Sequence, residues 1–191
     1  MTKRTIILDA SSLIYLVKAG SLDLIGDLYQ EVIITGAVYQ EAVIEGKRRG
    51  HPDAFAIEQV VADGRVHVIQ LGSVARERLV KAAFPGRLGV GEQETIVEAQ
   101  EQGCPAVLDD RHARATAAAL QVPLCGSDTL LLEGLLKKYI DGREYEDKVT
   151  RLAAAMGMRA DDLAELLWLG RLIEEQVDHG STQGQEVEHS G

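Results

Sequence analysis

The chain has 191 residues, 46% of them hydrophobic and 26% charged, with a mean hydropathy of -0.05. That balance predicts a soluble globular protein of one domain, or one domain with a small appendage. Thirty acidic residues against twenty basic ones give a formal charge of -10, which argues against a broad positive surface that grips nucleic acid.

No uncharged apolar run reaches the roughly 20 residues of a membrane span, and the first residues lack the apolar core and cleavage site of a signal peptide. A cytoplasmic protein without membrane contact is expected. Cys104 and Cys125 fall in runs that read as buried strands and would stay as thiols in a reducing compartment. The histidines at 51, 67, 112, 179 and 189 form neither H-x-x-x-H nor a Cys/His cluster, so any metal must be held by oxygen.

In chain order, residues 4–9 are an apolar run ending in a carboxylate, followed by a turn at Ala10-Ser11-Ser12 and a helix through Leu13 to Val17. A helix with Ser21 as N-cap places Leu22, Leu24, Ile25 and Leu28 on its apolar side, and the β-branched run 32–35 is a strand. Gly36 opens a helix to about Lys47, and Pro52 starts another that ends before Gly64. Residues 66–69 are strand and 73–83 helix. The glycine-rich loop 84–91 then delivers Glu92 to the first turn of a helix ending near Gly103. Strand 106–108, helix 111–120, strand 123–125 and helix 127–138 complete a regular alternation, which predicts a parallel sheet covered by helices on both faces. Two further helices over 144–176 form a C-terminal extension, and 177–191 is too polar to offset its ordering entropy, so a disordered acidic tail is expected.

In a doubly wound sheet ligands bind beyond the carboxyl ends of the strands, so acids at strand-to-helix handovers are the informative ones. Asp9 and the pair Asp109-Asp110 stand there, although each could equally cap the helix it precedes. Glu41 lies on the helix after the second strand. Glu92 and Glu94 are about 200° apart around their helix and cannot share a target. Glu92 is in phase with Ile96 and Ala99, the side expected to face the sheet; Glu94 is in phase with Glu98 and Glu101, expected on a solvated side.

The segments Ile7-Leu8-Asp9-Ala10-Ser11-Ser12, Ala37-Val38-Tyr39-Gln40-Glu41, Gly89-Val90-Gly91-Glu92 and Ala106-Val107-Leu108-Asp109-Asp110-Arg111, in that order, resemble the PIN-domain nucleases. The likeness is greatest to small prokaryotic proteins related to the VapC ribonuclease toxins, and runs over residues 4–140. It implies an α/β/α three-layer sandwich with a mainly parallel central sheet over residues 1–143. It also implies metal-dependent cleavage of RNA by Asp9, Glu41, Glu92 and Asp110, with Ser11 as the hydroxyl residue beside the first acid. Glu92 stands where the family more often has Asp. Asp109 stands where a small neutral residue is common, so either member of that pair is a candidate ligand, with Asp110 preferred on spacing. In a toxin-type protein an antitoxin is a candidate partner, and so is a second copy of the chain.

Carboxylates gathered this closely repel unless a divalent cation neutralises them, and an all-oxygen set suits one or two Mg²⁺ or Mn²⁺ ions. Such ions would acidify a water and stabilise charge on the phosphodiester for in-line hydrolysis. Arg111, Arg114 and Arg87 are the candidate phosphate contacts, with Lys47-Arg48-Arg49 next. The alternative is a PIN-like binding or regulatory module with little nuclease activity. The apolar faces of the last two helices, Trp168 included, are expected to pack on the domain or to form a docking surface. Half of the -10 charge lies in residues 174–191, and four of the remaining charges are the proposed ligands.

Overall fold

The computed structural model describes residues 4–82, 84 and 86–183, of which 177–183 are described by their backbone. Five parallel strands form one sheet in the order β3-β2-β1-β4-β5: β1 (Thr5–Leu8), β2 (Glu31–Thr35), β3 (His67–Ile69), β4 (Ala106–Val107) and β5 (Leu124–Cys125). Ile6, Ile7 and Leu8 are fully buried, as expected of a central strand covered on both faces.

Their alternation sorts the core into two layers. Ile6, Leu8, Ile34 and Val107 face one side, against α1 (Ala10–Lys18), α2 (Leu22–Leu28), α5 (Pro52–Ala62) and α9 (Ser127–Leu136). Ile7, Ile33, Ala106 and Leu108 face the other, against α7 (Val90–Gln102) and α8 (Arg111–Ala119). The α/β/α sandwich is therefore present as expected. A smaller apolar cluster of Leu71, Ala75 and Val97 joins α6 (Ser73–Lys81) to α7. Ala83 and Pro85, in the helix end and the glycine-rich loop read from sequence, lie outside the described residues.

The segment after β2 is not one α-helix. It runs as α3 (Gly36–Tyr39), a π-helical stretch Gln40–Glu45, and α4 (Gly46–Arg48). Ser21 stands at the N-cap of α2, but its hydroxyl donates to the Ala19 carbonyl instead of accepting from the helix.

α10 (Gly142–Met156) packs on α1 and α9, and Tyr145, Val149 and Leu152 belong to the same core as β1. α11 (Ala160–Gln183) lies across α9 and α10, with Leu163, Leu166, Leu167 and Ile173 against that core, whereas Trp168 is 59% exposed. Its backbone continues as helix past residue 177, where the tail was expected to begin, and residues 184–191 lie outside the described residues. Both cysteines are buried free thiols, and burial pushes them up, to about 11 for Cys104 and about 12 for Cys125. Among the described residues no helix is long and apolar enough to cross a membrane.

Candidate active site

The strand order places the site. The chain builds β1, β2 and β3 outward in one direction, then returns to lay β4 on the free side of β1, so the connections diverge between β1 and β4 and leave a crevice at their carboxyl ends. Asp9 leaves β1 there, and Asp109 and Asp110 leave β4. The register Leu8 to Val107 puts these exits side by side, with the Asp9 amide donating to the Val107 carbonyl at 3.3 Å.

Asp9 is 1% exposed and caps α1: its Oδ1 accepts from the Ser12 amide at 2.8 Å, and its Oδ2 from the Ser11 hydroxyl at 2.8 Å. Burial nevertheless dominates and, with a contribution from the Asp109 charge, pushes its carboxyl up to about 6. Ser11 thus belongs to the site through Asp9. Glu92, in the first turn of α7, accepts from the Gly89 amide at 2.8 Å. Its pKa is also raised, first by burial and then by the charges of Asp110 and Glu41. Glu41 is exposed on the π-helical stretch, a local widening often found at functional sites. It approaches α7 closely at Gly91, where an added Cβ would stand 3.2 Å from Glu41 Oε2.

Asp109 and Asp110 diverge. Asp109 turns toward α9, accepting from the Ser127 amide at 3.0 Å and the Ser127 hydroxyl at 2.5 Å, one on each oxygen. Asp110 caps α8 with Oδ1 alone, from the His112 and Ala113 amides at 2.7 and 2.9 Å. Its Oδ2 carries no hydrogen bond among the described residues. Asp109→Ala removes both acceptors of Ser127 and is expected to lower stability by about 1–2 kcal/mol in urea unfolding.

A cleft of about 380 Å³ is lined by Ser11, Glu92, Asp109, Asp110 and Arg111, together with Tyr15 of α1 and Met156 of α10. Tyr15 shares that cleft with the acids, and burial, with further contributions from Asp109, Asp9 and Asp110, raises its phenol. Among the described residues none of Asp9, Glu41, Glu92, Asp109 and Asp110 has a cationic partner within 4.0 Å. No group of three or more His, Cys, Asp or Glu among the described residues is arranged to hold a metal ion. All of these acids except Glu41 bond to an N–H at the start of a neighbouring or own helix.

The basic residues separate by role. Arg111 is exposed on the rim of the cleft. Arg114 points inward, its Nη1 donating to the carbonyls of Leu108 at 2.8 Å and Cys125 at 3.4 Å. It therefore braces the ends of β4 and β5, a structural use that its place in the sequence does not reveal. Arg87 is exposed and does not line the cleft. The side of α7 expected to be solvated is so only in part, with Glu101 exposed. Glu98 is 7% exposed and Glu94 accepts from the Ala37 amide at 3.2 Å, because α7 lies between α3, α6 and the sheet. Glu98 Oε1 accepts from Gln102, while Oε2 is buried without a hydrogen-bond partner.

Tyr15, Met156 and Ser127 were not singled out from sequence. Ser127 had a signal, since it opens a helix directly after a strand, as Ala10 and Arg111 do. Met156 had none, because only the return of α10 over α1 brings it there.

A parallel sheet with this divergence of connections, covered by helices on both faces, is an α/β/α sandwich with acids where two adjacent inner strands end. A family model described as a PIN domain matches residues 5–166, and the chain belongs to that family. The match takes in α10 and the start of α11, beyond the 4–140 span of the resemblance read from sequence. No curated protein matches the chain.

Proposed function

We propose that this protein is a metal-dependent endoribonuclease that hydrolyses RNA phosphodiester bonds. The observation that carries the reading is the concentration of acids without ion pairs among the described residues at the carboxyl end of the sheet, with Asp9 buried and its carboxyl pushed up to about 6. Such an arrangement is unfavourable by itself and suits a cation-binding site. The all-oxygen donor set fits Mg²⁺ or Mn²⁺, with Asp9, Glu41, Glu92 and Asp110 as the holders. One or two such ions supply charge neutralisation and Lewis acidity toward water and the phosphodiester.

The chain's own residues then have distinct tasks. Ser11 fixes the Asp9 carboxylate by its hydroxyl, and Asp109, with both oxygens on Ser127, holds the β4 exit in place beside it. Asp110 keeps one oxygen without a hydrogen bond, which favours it over Asp109 as a ligand. Arg111, on the rim, is suited to a phosphate oxygen. Aromatic residues are 4% of the chain, so recognition leans on backbone and shape. The sequence resemblance further supports a toxin-type role in the cytoplasm, with an antitoxin protein or a second copy as partner.

Purified protein with Mn²⁺ is expected to cleave single-stranded RNA, and chelation or Asp9→Asn to reduce the rate about 100-fold or more. Undiminished cleavage by Asp9→Asn would place the activity elsewhere. One observation favours the second reading, a PIN-like binding module: no three of the carboxylates converge among the described residues. Absence of Mn²⁺ binding in calorimetry decides for that module.

A further inference from the structure

We infer that the acids stand between two clefts, and that Arg49, in the second cleft, binds a backbone phosphate of the RNA strand on the far side of Glu41 from the scissile bond. The inference rests on the nuclease reading for its substrate.

The second cleft, about 570 Å³, is lined by Ile14, Glu41, Gly91, Arg49, His51 and Asp53 among others. Glu41 and Gly91 belong to it, and Glu92, the next residue, belongs to the first cleft, so the two meet at the α7 N-terminus. Glu41 Oε2 lies against Gly91 at that junction, 3.2 Å from where a Cβ would stand. A strand with one phosphate at the acids would therefore have room on both sides, which suits cleavage at internal bonds.

The structure distinguishes Arg49 from its neighbours in the basic run. Lys47 is paired with Glu58 and lies 5.1 Å from the Phe55 ring centre, and Arg48 is paired with Glu45 at 2.8 Å. Arg49 has no ion pair among the described residues. Its position is set by backbone geometry. Gly50 takes φ +76°, its amide donates to the Lys47 carbonyl, and the His51 amide donates to the Gly46 carbonyl, each at 2.9 Å. That pair of bonds is the Schellman closure of a helix, and it holds Arg49 and His51 on the rim of one cleft. His51 is also the N-cap of α5, so that helix begins at the same rim. Of the acids there, Glu45 is paired with Arg48, Glu41 is assigned to the metal, and Asp53 lies in the first turn of α5, where the helix dipole offsets its charge.

The test measures binding of a fluorescein-labelled 12-nucleotide single-stranded RNA by anisotropy, using the full chain carrying Asp9→Asn to stop cleavage. Adding Arg49→Ala is expected to weaken binding about five- to tenfold and to reduce the slope of log affinity against log salt by about 0.7. Arg76→Ala removes an exposed charge on α6 that is likewise without an ion pair among the described residues, and is expected to leave affinity unchanged. In a chain with Asp9 intact, Arg49→Ala should raise KM with kcat retained. Unchanged affinity in Arg49→Ala, an equal loss in Arg76→Ala, or no RNA binding at all would each overturn the assignment. RNA that is bound, and bound less well by Arg49→Ala, but not cut by the chain with Asp9 intact would reject the nuclease reading and support the Arg49 subsite.

Discussion

Replacing Asp9 by Asn is expected to stabilise the chelated protein at pH 7 by up to about 3 kcal/mol while removing nuclease activity. Asp9 is almost fully buried, and burial raises its carboxyl from 3.8 to about 6. A carboxyl raised on folding contributes stability that is present in full below the unfolded value and is lost as pH rises through the folded one. At pH 7 the folded chain must therefore hold an unfavourable buried charge, whereas at pH 4 the group is already protonated in the native state. Asn keeps an oxygen to accept from the Ser12 amide, so the cap of α1 survives. Urea unfolding in EDTA should show the gain at pH 7 shrinking below about 1 kcal/mol at pH 4, and Mn²⁺ should stabilise the Asp9 chain more than the variant. A variant less stable than its parent at pH 7 in EDTA would mean that Ser11 and Ser12 outweigh burial.

The second large effect is expected at Tyr145. Its ring is 1% exposed within the core beneath α1 and α9, and its hydroxyl donates to the Leu166 carbonyl at 2.9 Å, joining α10 to α11. Gly170 passes so close to the ring that a methyl group there would overlap it. Tyr145→Ala should cost about 3–5 kcal/mol by opening a cavity, and Tyr145→Phe about 1 kcal/mol for the hydrogen bond alone. Both are read from the urea midpoint at constant slope. The consequence reaches the site, because α10 carries Met156 to the wall of the acidic cleft. A chain ending at residue 143 loses Tyr145, Val149 and Leu152 from the core and is expected not to fold as the full chain does.

Much of this arrangement was legible in the residues themselves. The alternation of apolar runs with helical periods located the strands of the sheet, the inner ones because a strand covered on both faces needs an unbroken apolar stretch, whereas β3 at the edge is largely exposed. The acids at Asp9, Asp109 and Asp110 were legible for a related reason, since a carboxylate at a strand-to-helix handover has helix N–H groups to accept from. Glu98 was misread, and the inward bonds of Arg114 went unseen, because periodicity distinguishes only the face toward the sheet. It carries no information about α3 and α6 packing on the other sides of α7, or about the strand-end carbonyls within reach of Arg114.

The sequence by itself determined the elements, the two-faced sheet and the residues able to cap helices beyond its strands, since these follow from local periodicity and short-range hydrogen bonding. The tertiary structure decided what depends on long-range packing. The return of β4 beside β1 set Asp9 next to the Asp109-Asp110 turn, and the π-helical stretch brought Glu41 against Gly91. Burial gave Asp9, which also caps α1, a carboxyl raised to about 6. The pairing of Lys47 and Arg48 left Arg49 as the member of that run without an ion pair among the described residues, a distinction that three adjacent basic residues cannot express in sequence.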